Sequence, residues 1–158
     1  MADELTIRRA TREDLPELVQ LYRHLVPDEP VSTGHAEEIW ERFSHYGPSG
    51  VFLGLIDGKQ VATCTLVVVP NFVRGGANYA LIENVVTHAG FRGRGHGKAV
   101  LLAAVEAAWS LGCYKVMLLT SSKEPATLGF YENAGFQRSK TGFEMRRMPA
   151  RESSLPPS

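Results

Sequence analysis

Seventeen consecutive residues, IENVVTHAGFRGRGHGK at 82–98, bring together one carboxylate, four glycines and three fixed cations. A short apolar strand, Ile82-Glu83-Asn84-Val85-Val86-Thr87, runs into a turn with glycines at 90, 93, 95 and 97. A helix-like run, Lys98-Ala99-Val100-Leu101-Leu102, follows at once. Glycines at a strand-to-helix turn let backbone amides come close to a ligand. The helix start adds unpaired N–H groups and a partial positive charge, which suit a phosphate. Arg92, Arg94 and Lys98 add charge at the same mouth. The chemistry implied is binding of a pyrophosphate-bearing cofactor. Two nucleotide patterns fail on named residues. A dinucleotide fingerprint starting at Gly93 has Lys98 where its third glycine belongs. A P-loop needs glycine at position 92 and Ser or Thr at 99, where the chain has Arg92 and Ala99.

The elements that must position this turn alternate along the chain. Leu5–Arg9 reads as a strand. Thr11, with Asp14 three residues later, caps a helix running through about Val26, which Pro27 and Pro30 break. Ser32 caps a second helix with Ile39, Trp40 and Phe43 at helical spacing, ending near Gly47-Pro48. Val51–Ile56 and Val61–Val69 flank the hairpin signal Asp57-Gly58. A Gly-rich loop at Asn71–Gly76 leads to the strand Tyr79–Thr87. A third helix, about Gly95–Leu111, carries Leu101, Val105 and Trp109 on one stripe and stops at Gly112. Tyr114–Thr120 is a strand, Glu124–Asn133 a short helix, and Phe136–Arg146 a closing hairpin. Trp40 and Trp109 are most simply core.

The 158 residues suit one domain at 5–148 with a disordered Pro/Ser tail at 149–158. Hydrophobic residues at 44% and charged residues at 22% are ordinary globular usage. Zero net charge argues against a broadly basic nucleic-acid surface. Cys64 and Cys113 lie in apolar runs and read as buried free thiols, and no metal-ligand spacing is present. Met1–Leu5 has acids and no apolar signal core, and no segment is long enough to span a bilayer, so a cytoplasmic location is expected.

Arg92-x-x-Gly95-x-Gly97, preceded by Glu-Asn-Val-Val and followed by an amphipathic helix, resembles the coenzyme A signature of the GNAT family of N-acetyltransferases. The segment Phe130-Tyr131-x-x-x-Gly135-Phe136 matches a second hallmark of that family. Within it, Gly112–Val116 and Ile82–Val86 look most like glucosamine-6-phosphate N-acetyltransferases, whereas the Thr120–Tyr131 loop is closer in length to aminoalkylphosphonate acetyltransferases. The resemblance spans roughly residues 5–147. It implies an α/β (α+β) fold with a mixed central sheet of six to seven strands, splayed strands 4 and 5, and about four helices. It also implies acetyl-CoA as cofactor. The backbone of Val85, Val86 and Thr87 would pair with the pantetheine arm like an added strand, and Arg92, Gly93, Arg94, Gly95, His96, Gly97 and Lys98 would hold the pyrophosphate. Where the family commonly has an Asn near the cofactor, this chain has Ser121 and Ser122.

An alkyl ammonium with pKa about 10 reacts only after losing its proton, at a cost of roughly 4 kcal/mol at neutral pH. Glu83, the only acid on the cofactor strand, is the candidate base. Strict alternation puts its side chain on the face of Val85 unless a bulge intervenes. The plainer alternative is a strand-edge glutamate paired with an arginine. The Val85 amide would receive the developing oxyanion, and Tyr131, by resemblance, would protonate the departing thiolate. The alternative for Tyr131 is an aromatic packed under the last helix. His88 and His96 flank the loop and read more simply as solvated. Glu83, Glu41, Tyr46 and Arg74 are candidate acceptor contacts, with surface or core roles as the alternative for the last three. The expected activity is direct acetyl transfer to the primary amine of a small molecule such as an amino sugar or aminophosphonate, without a covalent cysteine intermediate. A non-catalytic acyl-CoA sensor and a protein N-acetyltransferase are the other readings. The resemblance also brings an expectation of a homodimer.

Overall fold

The computed structural model describes residues 3–150. They form two compact units, one ending at Leu118 and the other beginning at Leu119. In the first unit, five strands lie in the order β1-β2-β3-β4-β5: Thr6–Arg9, Gly50–Ile56, Lys59–Val69, Asn78–Thr87 and Cys113–Met117. The first four pair antiparallel, and β5 runs parallel to β4. Every residue of β2 is buried, as expected for a strand covered on both faces. Asp57-Gly58 turns it into β3 with both residues at positive φ, the backbone a tight hairpin requires.

One face of the sheet carries α1 (Leu15–Leu21) and α2 (Thr33–Phe43). Leu15, Leu18 and Leu21 form a buried cluster there with Val51, Leu53, Leu55 and Val86. The first helix is shorter than its sequence suggests. Arg12–Asp14 and Tyr22–His24 are 3₁₀ turns at its two ends. Asp14 accepts the Thr11 N–H at 2.7 Å, and Ser32 caps α2 by accepting the His35 N–H at 3.2 Å. The opposite face is covered by α3 (His96–Ser110). Val100, Leu101, Ala104 and Ala108 bury its inner side, so of the expected stripe Leu101 is kept, whereas Val105 is half-buried and Trp109 exposed. Trp109 is 46% exposed and is not core. A Cβ on Gly54 would sit 2.7 Å from Val100 Cγ2, so glycine in β2 permits the close approach of α3.

In the second unit, α4 (Pro125–Asn133) starts with a proline in its first turn and ends where the Phe136 N–H reaches the Tyr131 carbonyl at 3.1 Å. The expected hairpin over 136–146 is not formed, and the sheet has five strands instead of six or seven. Phe143 and Met145 are 93% and 100% exposed, so alternation without a ladder partner leaves this stretch irregular. Both cysteines are free and buried, as expected. Most of the 149–158 tail lies outside the described residues.

Candidate active site

The pairing of β4 changes halfway along. Its first half is held by β5 through Asn78↔Cys113, Ala80↔Val116 and Leu81↔Met117. Beyond Leu81 no β5 partner continues, while β3 stays paired on the other side as far as Thr87. The 82–87 stretch therefore presents one strand edge with free backbone groups, the property that lets an extended ligand add as a strand.

A bulge sits in that stretch. From Thr65 to Thr63, β3 advances two residues, whereas from Glu83 to Val86, β4 advances three. Asn84 has φ +52, a left-handed conformation that Asn tolerates better than most residues. Glu83 consequently falls in step with Val86 instead of Val85, and strict alternation does not hold. Glu83 is exposed and pairs across the ladder with Thr65. Among the described residues it forms no ion pair, so the paired-glutamate alternative is not realised.

After Thr87 a 3₁₀ turn, Ala89–Phe91, leads to Gly93 and Gly95, at φ +75 and +82. A Cβ at either glycine would meet nothing within 4 Å, so the space above the turn is open. Gly95 is the N-cap of the fifteen-residue α3, whose first amides face that space. Gly97 is buried on the helix, and Lys98 and Arg94 are exposed. The Arg94 guanidinium lies 5.5 Å from the Phe91 ring centroid. Arg92 is a brace: its Nε donates to the Thr87 carbonyl at 3.2 Å and its Nη2 to the His24 carbonyl at 3.5 Å. The Nε2 atom of His96, at the helix start, is buried without a hydrogen-bond partner among the described residues. An unpaired strand edge, an open glycine turn with a helix N-terminus behind it, and this orphaned nitrogen together fit an extended ligand ending in phosphates.

On the α1–α2 face a cavity of about 400 Å³ opens, lined mainly by apolar side chains such as Leu18, Val31 and Trp40. Its polar lining is Tyr22, Arg23, Glu29, Thr65 and Asn84. The Tyr22 hydroxyl is buried against Thr65 and Thr63, and burial raises its pKa. None of these five stood out in the sequence, although an Asn inside a β-branched strand is a signal for the bulge that brings Asn84 to the cavity. Glu41, Tyr46 and Arg74 do not line it. Glu41 and His45 are an exposed pair 3.9 Å apart at the end of α2, and Tyr46 stacks on Phe43. The Arg74 guanidinium rests 5.6 Å from the Tyr114 ring centroid.

Burial pushes the Cys64 thiol up to about 12 and raises Cys113 as well, which leaves neither thiol ionised near neutral pH. In the second unit, Tyr131 makes edge contacts with Phe130 at 5.0 Å and Phe136 at 6.3 Å, which hold its ring in place. Ser121 is exposed in the loop ahead of α4, and Ser122 caps its neighbour by accepting the Glu124 N–H at 3.2 Å. No helix among the described residues is long and apolar enough to cross a membrane.

Comparison with known proteins agrees with this architecture. The model of the acetyltransferase (GNAT) family matches residues 15–136. A glucosamine 6-phosphate N-acetyltransferase of Trypanosoma brucei brucei is 35% identical over 135 residues, covering 85% of this chain and 90% of that protein. A solved structure from Agrobacterium tumefaciens superposes with a TM-score of 0.86 at 43% identity, covering 90% of this chain and 99% of the other. The fold is also that of Arabidopsis thaliana glucosamine-6-phosphate N-acetyltransferase, with a TM-score of 0.82 at 24% identity over 92% and 99% of the two chains. With the family match spanning most of its length, the chain belongs to the acetyltransferase (GNAT) family and is an N-acetyltransferase.

Proposed function

We propose that the protein transfers the acetyl group of acetyl-CoA directly to the primary amine of a small molecule. The observation that carries this reading is the loss of the β5 partner beyond Leu81, immediately before a glycine turn that ends at a helix N-terminus. Backbone groups of Val85, Val86 and Thr87 would pair with the pantetheine arm. The amides of Gly93, Gly95, His96, Gly97 and Lys98 would face the diphosphate, with Arg94 and Lys98 as fixed cations and Arg92 as the brace behind them. Ser121 is a further contact suggested by the resemblance. Bound acetyl-CoA supplies an acyl group already activated as a thioester.

The chain's own groups then have three tasks. Glu83 takes the proton that the amine must lose, directly or through one water. The Val85 N–H, freed from regular laddering by the bulge, donates to the acyl oxygen as negative charge gathers there. The Tyr131 hydroxyl gives a proton to the departing sulfur. The raised Cys64 and Cys113 thiols support direct transfer over a covalent cysteine route. Glucosamine 6-phosphate heads the acceptor panel, because curated relatives carry that substrate in their names. Thr65 and Asn84 on the cavity wall are better acceptor contacts than Glu41, Tyr46 or Arg74.

The test is release of free thiol from acetyl-CoA with glucosamine 6-phosphate, polyamines, aminophosphonates and amino acids in turn. Turnover on one class is the expected result. Tight coenzyme binding with no turnover on any amine would make the protein a sensor, and no affinity for coenzyme A would overturn the reading altogether.

A further inference from the structure

Two histidines from distant parts of the chain meet behind the glycine turn. His24 ends the short helix after α1, and His88 follows β4. Their ring centroids lie 4.2 Å apart. The His24 Nδ1 accepts the Ala89 N–H at 3.2 Å, and the His88 Nδ1 accepts the Gly90 N–H at 3.0 Å. Phe91 sets its ring edge-on to His88 at 5.4 Å. The His88 N–H itself donates to the Val61 carbonyl at 2.8 Å. The His24 imidazole and the Arg92 bond to the His24 carbonyl tie segment 88–92 to the α1 side, while the His88 imidazole and the Arg92 bond to the Thr87 carbonyl brace the turn from within.

A ring nitrogen that accepts a hydrogen bond carries no proton, so each imidazole here is neutral with its proton on Nε2. A proton added at either Nδ1 would set two N–H donors face to face and leave a backbone amide unpaired. The charged groups acting on the pair are cations: Arg92 from the turn and Lys59 from the start of β3, with His24 also acting on His88. Burial first, and then these charges, lower both imidazoles from the ordinary histidine value.

We propose that His24 and His88 are positioning residues: as neutral imidazoles they hold residues 89–92 so that the amides of 93–98 converge on the coenzyme diphosphate, and affinity for coenzyme A falls when the pair takes up protons. This rests on the reading of 93–98 as the diphosphate site. The sign separates it from a simple charge effect. An imidazolium near a diphosphate would tighten binding as pH falls, whereas loss of the clasp weakens it. Because the folded pair favours the neutral form, its contribution is complete above about pH 6.5 and is lost as pH falls through the pair's lowered value.

The test is calorimetric titration of coenzyme A into the full-length protein between about pH 8 and about pH 5, with circular dichroism at each point. The coenzyme's own phosphate monoester titrates with a pKa of about 6, so the readout is the ratio of wild type to variant. His88→Asn keeps an acceptor for the amide two residues on and cannot titrate there. The wild type should lose about tenfold in affinity per pH unit relative to His88→Asn once His88 takes up its proton, and the two should match near neutrality. His24→Phe keeps a ring, removes one acceptor and should reduce the slope by one proton even if the first variant fails to fold. Superimposable profiles, or a relative gain in affinity on acidification, overturn the clasp. Absence of binding at about pH 8 by a folded wild type overturns the diphosphate reading and the clasp with it.

Discussion

At the scale of single residues, the candidate chemistry is divided between a carboxylate and a phenol. Glu83 is exposed, unpaired among the described residues, and next to the bulge that turns Asn84 into the cavity. Glu83→Gln keeps the size and hydrogen-bonding reach while removing the base. Its expected effect is a fall in kcat on the order of 10²–10⁴ with the KM for acetyl-CoA unchanged, read from initial rates of thiol release. An unchanged kcat would assign proton removal to solvent. Tyr131→Phe preserves the edge contacts to Phe130 and Phe136, so the variant should fold normally. A thiol leaving group with pKa near 8.5 needs modest help, so about tenfold in kcat is the expected loss. Equal rates in Tyr131→Phe and wild type would leave this tyrosine a packing residue. Glu83 stands out in the sequence as the only acid of its strand. The phase of its side chain was not legible there, because one inserted residue in a ladder shifts every later position by half a period.

The elements themselves were largely readable, and where they were not, a neighbour decided the outcome. Asp57-Gly58, Ser32 and Gly112 are local signals whose conformations depend little on the rest of the fold, and each turns or caps the chain where expected. The α3 stripe is set instead by the approach of the helix to Gly54 of β2, a contact 46 residues away in sequence (100 minus 54) that periodicity cannot reveal. The Arg92 brace is of the same kind, since its partner His24 lies on another element. The first helix also depends on a contact to another element. Arg8 of β1 grips Asp14 through two N–H groups at 2.7 and 2.8 Å, and this hydrogen bonding holds the Asp14 carboxyl down to about 2. A depressed carboxylate contributes stability that is complete above its unfolded value, about 3.8, and is lost as pH falls through the folded value. Arg8 is 44% exposed, which screens the pair. Asp14→Asn should therefore cost about 1 kcal/mol in urea unfolding at neutral pH, and the deficit should close as pH approaches about 2. A deficit independent of pH would mean that packing, and not charge, ties β1 to α1.

For the whole molecule, the segment after α4 decides what the chain does with its surface. The apolar alternation of Phe143 and Met145 reads as a strand, yet in this single chain both side chains are almost fully exposed and no ladder forms. A strand pattern is information about a partner as much as about the segment itself, because backbone groups and alternate side chains must be satisfied from outside. That is why the sequence reading overcounted the strands. A second copy of the chain, as the family resemblance leads one to expect, would be a partner of the right chemistry, with apolar surface and an unpaired strand edge of its own. On that basis the protein should sediment at twice its monomer mass at micromolar concentration. Phe143→Asp combined with Met145→Asp should return it to the monomer while circular dichroism stays unchanged, since neither side chain contributes to the buried core of one chain. A wild-type protein that sediments as a monomer across that range would show that these side chains face water in solution, and their exposure would then predict aggregation under stress rather than assembly.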